Sequence, residues 1–263
     1  MTQEQFLDMQ ARAKGFAYNS FAYMVAPDYQ DAQILKDDEA MIAALRSDGT
    51  LSWASSHVDN LIQLAKSLSR PTRMDFIPSH WENPMLQAGF EPYALFCEYV
   101  NNALFMYKDA PLICLPAKRE DAGRLEAVSL SCKDQSRGFK SDSASWFESW
   151  MDKTEPNLGK DDISEVLCFG YGKNLIGYIA IALQSSSSKP VLWIRAIAVS
   201  KSEQGRGIGR SLMSSALRWG INHKARKAYL MCDKLNDHAR RLYEGFGFHC
   251  TKDEELDLIW PVV

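Results

Sequence analysis

A chain of 263 residues, 46% hydrophobic and 24% charged, is long enough for one large or two ordinary globular domains with a real core. A formal charge of −3 without a long Lys/Arg run gives no global attraction to nucleic acid or anionic lipid, so a polyanion partner is not favoured. The longest apolar stretch, 175–183, is strand-sized against the roughly 20 residues of a membrane span. Met1-Thr2-Gln3-Glu4-Gln5 has no basic region leading into an apolar one, so the expectation is a cytoplasmic protein without a membrane partner.

In chain order, the first 110 residues are the less explicit part. Their end, 74–100, reads strand, short helix, Gly89-Phe90, strand. A boundary is placed at 108–111. The second half then opens with a short strand at 112–115, a helix over about 120–130 with Leu125 and Val128 on one face, a polar loop, and a second short helix carrying Trp146, Phe147, Trp150 and Met151. Strands at 166–171 and 175–183 flank a tight Gly172-Lys173-Asn174 connection, and four serines at 185–188 read as a loop tip. The segment 191–199 is the most apolar strand, broken only by Arg195. Leu212, Met213, Ala216, Leu217 and Ile221 then repeat with the helical period, and a strand (229–232), a short helix (236–244) and a last strand near Phe248 follow. The order is α+β around one sheet. The 74–100 segment copies the C-terminal plan: aligning Gly89-Phe90 with Gly247-Phe248 sets Met85 against Tyr243, with no glycine-rich loop upstream. A degenerate repeat and an unrelated α/β domain both remain open for residues 1–110. The six cysteines (97, 114, 132, 168, 232, 250) form no C-x-x-C pair and have no histidine at ligand spacing, so they read as buried free thiols, and no metal is expected.

The strongest chemical signal is Gln204-Gly205-Arg206-Gly207-Ile208-Gly209-Arg210, between the apolar strand and the amphipathic helix. A helix N-terminus offers unpaired N–H groups and a partial positive charge, glycines let a diphosphate approach the backbone, and Arg206 and Arg210 supply charge-assisted bonds. No Gly-Lys-Ser/Thr closes the loop as a Walker A motif would, and the surroundings do not fit a dinucleotide fingerprint.

These residues resemble a known family. Ile197-Ala198-Val199 followed by Gln204-x-x-Gly207-x-Gly209 is similar to the acyl-CoA-binding motif of the GNAT N-acetyltransferases. Asn236-x-x-Ala239-x-x-Leu242-Tyr243-Glu244-x-x-Gly247-Phe248 resembles the family's second motif, and Pro116 to Asp121 its first strand-to-helix junction. The resemblance covers about 112–263 and implies a mixed, mostly antiparallel sheet flanked by helices. It divides the chain into an N-terminal α/β domain, 1–110, for which a degenerate copy of the same fold is one of the two open readings, and a catalytic domain, 111–263. It implies acetyl-CoA as co-substrate, with the backbone of Ile197, Ala198 and Val199 on the pantetheine arm. Gln204, Gly205, Arg206, Gly207, Ile208, Gly209 and Arg210 would hold the pyrophosphate, Ser211 would add a hydroxyl, and Asn236 would contact the cofactor's amide portion.

The resemblance also sets Tyr243 near the sulfur, as donor to the departing thiolate, and the N–H of Ile197 at the carbonyl oxygen. Trp146, Phe147 and Trp150 with Glu148 fall where the family builds part of its acceptor pocket, and Trp193 is counted with them, although a packed helix face is the slightly better account of the aromatics. The position of the strand-borne glutamate base of some members is Trp193 here, leaving Glu148, Glu165 and Asp233, each of which reads as a solvated surface carboxylate. The implied reaction is direct transfer of a short acyl group to the primary amine of a small molecule or peptide. The alternatives are a catalytically weak acyl-CoA-binding or interaction module, and an N-terminal half that completes the acceptor pocket or a homodimer interface.

Overall fold

The computed structural model describes residues 1–24, 29–104, 112–133, 139, 141–171, 174–185 and 189–261. They form two compact units, residues 1–96 with 254–263, and residues 97–253. The second unit starts earlier and ends earlier than the 111–263 span read from the sequence, and the final residues belong with the first unit because they pair with a strand there. The expected boundary at 108–111 lies outside the described residues, as do Gly172, Lys173 and residues 186–188.

In the first unit, α1 (Gln3–Ala13) starts in a capping box between Thr2 and Gln5, and Phe6, Met9 and Ala13 are buried at helical spacing. β1 (Tyr18–Asn19) pairs with the end of β4 (Thr50–Ser55); β2 (Gln33–Asp37), β3 (Met41–Leu45) and β4 run antiparallel. Every residue of β3 and β4 is buried, because alternate side chains meet different layers. Ile42, Ala44 and Ala54 join the α1 cluster, while Met41, Ala43, Leu45, Leu51 and Trp53 face Leu61 and Ala65 of α2 (Val58–Lys66). β5 (Thr72–Ile77) runs parallel to β4, and their register holds only at Thr50↔Arg73 and Leu51↔Met74. α3 (Glu82–Gln87) and β6 (Glu91–Asn101) follow.

Within this unit Phe76 holds a left-handed φ of 62°, a strained conformation for an aromatic residue, and its N–H donates to Asp257 Oδ1 at 3.2 Å. Burial, with Asp75 and Glu255 nearby, pushes the Asp257 carboxyl up to about 8. The folded state therefore holds a proton that the unfolded chain releases near pH 4, so this group costs the unit stability as pH rises from about 4 towards 8. Asp257→Asn, which keeps the acceptor oxygen, is expected to raise the melting temperature at pH 8 and to change it little at pH 4.5. An equal shift at both pH values in thermal melts would refute this assignment.

In the second unit, β7 (Leu115–Pro116), β8 (Ile163–Tyr171), β9 (Asn174–Gln184) and β10 (Val191–Val199) are antiparallel, and β11 (Lys227–Asp233) is parallel to β10. α4 (Ala122–Ser131) and α5 (Ala144–Met151) cover one face, where Leu125, Val128, Phe147 and Trp150 meet Val166, Tyr178, Ala180 and Ala198. α6 (Ile208–Asn222) covers the other, with Leu212, Met213, Ala216 and Leu217 against Ile179, Ile181, Leu192 and Ile194. α7 (Asp237–Glu244) and the start of β12 (His249–Trp260), whose residues from 254 on belong to the first unit, complete it, giving the expected mixed, mostly antiparallel sheet flanked by helices.

The first unit repeats this plan: strand, helix, parallel strand, short helix, strand. Gly89 and Gly247 both take positive φ (101° and 80°), and the following phenylalanine N–H donates to Met85 O and to Tyr243 O, each at 3.1 Å. Met85 thus holds the place of Tyr243, and only Ser56 and His57 separate β4 from α2 where the second unit has its glycine loop. One expectation fails: Cys97 and Cys250 form a disulfide with Cα atoms 6.2 Å apart, leaving Cys114, Cys132, Cys168 and Cys232 free. A separation of 153 residues gave the sequence no local pattern to show it.

Candidate active site

Two features of β10 build the site. Its parallel pairing to β11 covers Val191, Leu192 and Trp193, and among the described residues no later position of β10 has a β11 partner. A bulge between Ile194 and Ala196 then re-aims the strand, and on its other edge it stays paired to β9 through Val199↔Gly177. The edge from Ile197 to Val199 that faces away from β9 is therefore backbone available to an extended ligand, except for Val199 O, which accepts from Gln204 Nε2 (2.9 Å) and Cys132 Sγ (3.1 Å).

The glycine loop follows at the end of this edge. Gly205 and Gly207 have φ of 78° and 79°, and a Cβ on either would meet nothing within 4 Å, so the positive φ, not crowding, calls for glycine. Gly207 is the N-cap of α6 and caps with no side chain; the first helical bond from this turn is Ser211 N to Gly207 O at 3.0 Å. The N–H groups of Ile208, Gly209 and Arg210 therefore lie in the uncapped first turn beside open space, the geometry of an anion cradle. A Cβ on Gly177 would sit 3.2 Å from Ala198 O, Ile208 Cγ2 and Leu212 Cδ1, so this glycine lets the first turn of α6 press against the sheet.

The structure gives the neighbouring side chains distinct positions. Gln204 Nε2 donates to Val199 O (2.9 Å), bracing the strand end. Arg206 is exposed and paired with Glu203 (2.8 Å), and the Arg210 guanidinium lies over Phe246 (5.2 Å). Ser211 is fully buried, and its hydroxyl donates back to Gly207 O (3.2 Å), so it is engaged inside the helix and not offered to a ligand. Asn236 Oδ1 accepts from Ala239 N (3.1 Å), which makes it the N-cap of α7.

Tyr243, on α7, is buried with its ring 6.4 Å from Tyr99 and 6.3 Å from Phe248. Burial, with Cys232 nearby, pushes its phenol well above the usual range, so it remains protonated wherever the protein is folded at ordinary pH. Cys232 is itself pushed up to about 12, mainly by burial, and is not a thiolate nucleophile.

The opposite face of β10 carries the aromatics. Trp146 stacks on Trp150 (5.2 Å), Trp150 meets Trp193 (5.5 Å), Trp193 stacks on Tyr229 (6.2 Å), and the Arg195 guanidinium lies over Trp146 (5.3 Å). Phe147 is fully buried core, and Glu148 pairs with Arg119 (2.8 Å) at the surface, so Trp146 and Trp193 are the members of the expected pocket group that line accessible space. Asp233 is buried, contrary to the surface reading, with Oδ1 accepting from Leu235 N (3.0 Å). Three residues absent from the sequence reading meet on this face: Tyr178 donates to Asp142 Oδ2 (3.0 Å) and lies 3.1 Å from Ser129 Oγ, which accepts from Asp142 N (2.8 Å).

Residues 136–248 match the family model described as Acetyltransferase (GNAT) family. This part of the chain is a GNAT domain. A mycothiol acetyltransferase of Acidimicrobium ferrooxidans is 25% identical over 253 residues, covering 90% of this chain and 72% of the relative. N-alpha-acetyltransferase 40 of Saccharomyces cerevisiae is 36% identical over 72 residues, 24% of each chain, so this match spans about a quarter of that relative. A solved tandem GNAT protein from the clavulanic acid biosynthesis pathway shares the fold at a TM-score of 0.51 and 10% identity, covering 85% of this chain and 78% of its own. The GNAT-like plan of the N-terminal unit agrees with that tandem arrangement.

Proposed function

We propose that the GNAT domain transfers an acetyl or similarly short acyl group from acetyl-CoA to a primary amine of a small molecule or peptide by direct attack. The observation that carries this reading is the uncapped first turn of α6, opened by Gly205 and Gly207, at the end of the strand edge that β11 leaves unpaired. In this reading the edge 197–199 pairs with the pantetheine arm, the first-turn N–H groups with Gln204, Arg206 and Arg210 surround the pyrophosphate, and Asn236 flanks the arm from α7. The Ile197 N–H faces the thioester oxygen as charge develops on it, and Tyr243 faces the sulfur. Trp146 and Trp193 line the acceptor side. Met85 and the missing glycine loop limit the N-terminal unit to a supporting role. Calorimetric titration with acetyl-CoA, followed by thiol release on adding amines, tests the reading. One-to-one binding and amine-dependent release are expected, and a folded protein that fails to bind acetyl-CoA refutes it.

A further inference from the structure

No carboxylate stands on β10 to receive the proton of the attacking amine, but one reaches the same face from the segment before α5. We propose that Asp142, held by Tyr178, is the general base that accepts this proton, an assignment that rests on the acetyltransferase reading above. Tyr178 is the strand partner of Ala198, the neighbour of Ile197, and its side chain rises on the α4/α5 face, the one carrying Trp146 and Trp193. Its phenol donates to Asp142 Oδ2 (3.0 Å), and the Asp142 N–H donates to Ser129 Oγ (2.8 Å), so one carboxylate oxygen is fixed from β9 and the backbone from α4. Arg195, at the bulge of β10, attracts the same carboxylate while lying over Trp146. A half-buried carboxylate is thus fixed among aromatic rings on the acceptor side, a setting that suits a cationic amine.

The groups facing Asp142 are Tyr178 on β9, Arg195 on β10, Ser129 on α4 and Glu155 beyond α5, with Cys132 close to the Tyr178 phenol. Burial is the largest influence and raises the carboxyl above its ordinary value; Arg195 and Tyr178 oppose it, and Glu155 adds to it. A carboxylate moved towards neutrality is a better proton acceptor than a solvated one. In the step itself the cationic amine first gives one proton to Asp142, which passes it to water. The lone pair so freed forms the C–N bond, the C–S bond breaks with its electron pair leaving on sulfur, and a second nitrogen proton passes to Asp142 and through water to the thiolate. The products are amide, thiol and one proton released to solvent.

The test compares two acceptors with acetyl-CoA: phenethylamine, which is protonated at neutral pH, and hydroxylamine, which is not and sheds its proton to water. Asp142→Asn is expected to lower kcat/KM for phenethylamine about 100-fold and to erase the acid limb of its pH profile, with far less effect on hydroxylamine and none on acetyl-CoA affinity. Tyr178→Phe removes a donor to the carboxylate, so the acid limb should move to higher pH; this variant decides the question if Asp142→Asn does not fold. An equal loss with both amines would make Asp142 a brace and overturn the proposal, as would an acid limb that neither variant moves. If the wild type binds acetyl-CoA but acetylates neither amine, the transferase reading fails, and this assignment with it.

Discussion

A Gly207→Glu variant is expected to lose acetyl-CoA affinity by about 100-fold or more while remaining folded. The first turn of α6 offers N–H groups to a dianionic diphosphate, and hydrogen bonds to a charged partner contribute roughly 1.5–3 kcal/mol each. A carboxylate at this N-cap competes for those donors and repels the phosphates, so losing even one such bond with added repulsion gives about two orders of magnitude. The space beside Gly207 is empty, so the side chain fits, and the cost to folding is the left-handed φ of 79°, about 1–2 kcal/mol. Gly207→Ala carries the same backbone strain without the charge and separates the two effects: it should melt like the glutamate variant yet lose less than about tenfold in affinity. If calorimetry shows both variants binding like the wild type, the loop is a packing device and the diphosphate lies elsewhere.

Tyr243→Phe is expected to lower kcat by about tenfold or more and to leave acetyl-CoA affinity unchanged, because the lost interaction strengthens only as the thiolate departs. Relative pKa values decide how the phenol acts. A thiol near 8.5 is about 1.5 units more acidic than an ordinary phenol near 10, so full proton transfer from phenol to thiolate is already uphill by about 2 kcal/mol. Burial raises the Tyr243 phenol further, which makes it a hydrogen-bond donor to the leaving sulfur and not the final source of its proton. Accordingly, replacing Tyr243 should leave the acid limb of the pH–rate profile in place. Turnover equal to wild type, or loss of acetyl-CoA affinity in step with turnover, would return Tyr243 to the core as a packing residue beside Tyr99 and Phe248.

The fold was legible where periodicity and turn chemistry act locally. The run from β10 through the glycine loop to α6 could be read because an apolar strand, three spaced glycines and a 3.6-residue repeat adjoin one another. The correspondence of Met85 with Tyr243 could be read because each is followed by a glycine that must adopt positive φ, then a phenylalanine. Where the meaning depends on distant partners, the sequence was silent. Asp142 sits in a polar tract with no period, and its environment comes from Ser129, Tyr178 and Arg195, spread over 66 positions (195 − 129) and meeting only in the fold. Ser211 looked available beside the phosphate loop, but a helix that returns its hydroxyl to the carbonyl four residues earlier withdraws it. Trp146, Phe147 and Trp150 looked like one group, yet α5 turns Phe147 and Trp150 fully into the core and leaves Trp146 at its margin.

The bond between Cys97 and Cys250 makes a covalent ring of almost the whole GNAT unit, with every motif segment inside it. Even when unfolded, the chain between those residues is a tethered loop with fewer conformations than an open strand of the same length. In the chain-entropy model, closing a ring of this size disfavours the unfolded state by about 5 kcal/mol, comparable to the entire stability of a marginal domain. The margin by which this unit stays folded is therefore a function of the thiol–disulfide poise around it. Two sulfur atoms outside every catalytic motif carry that dependence.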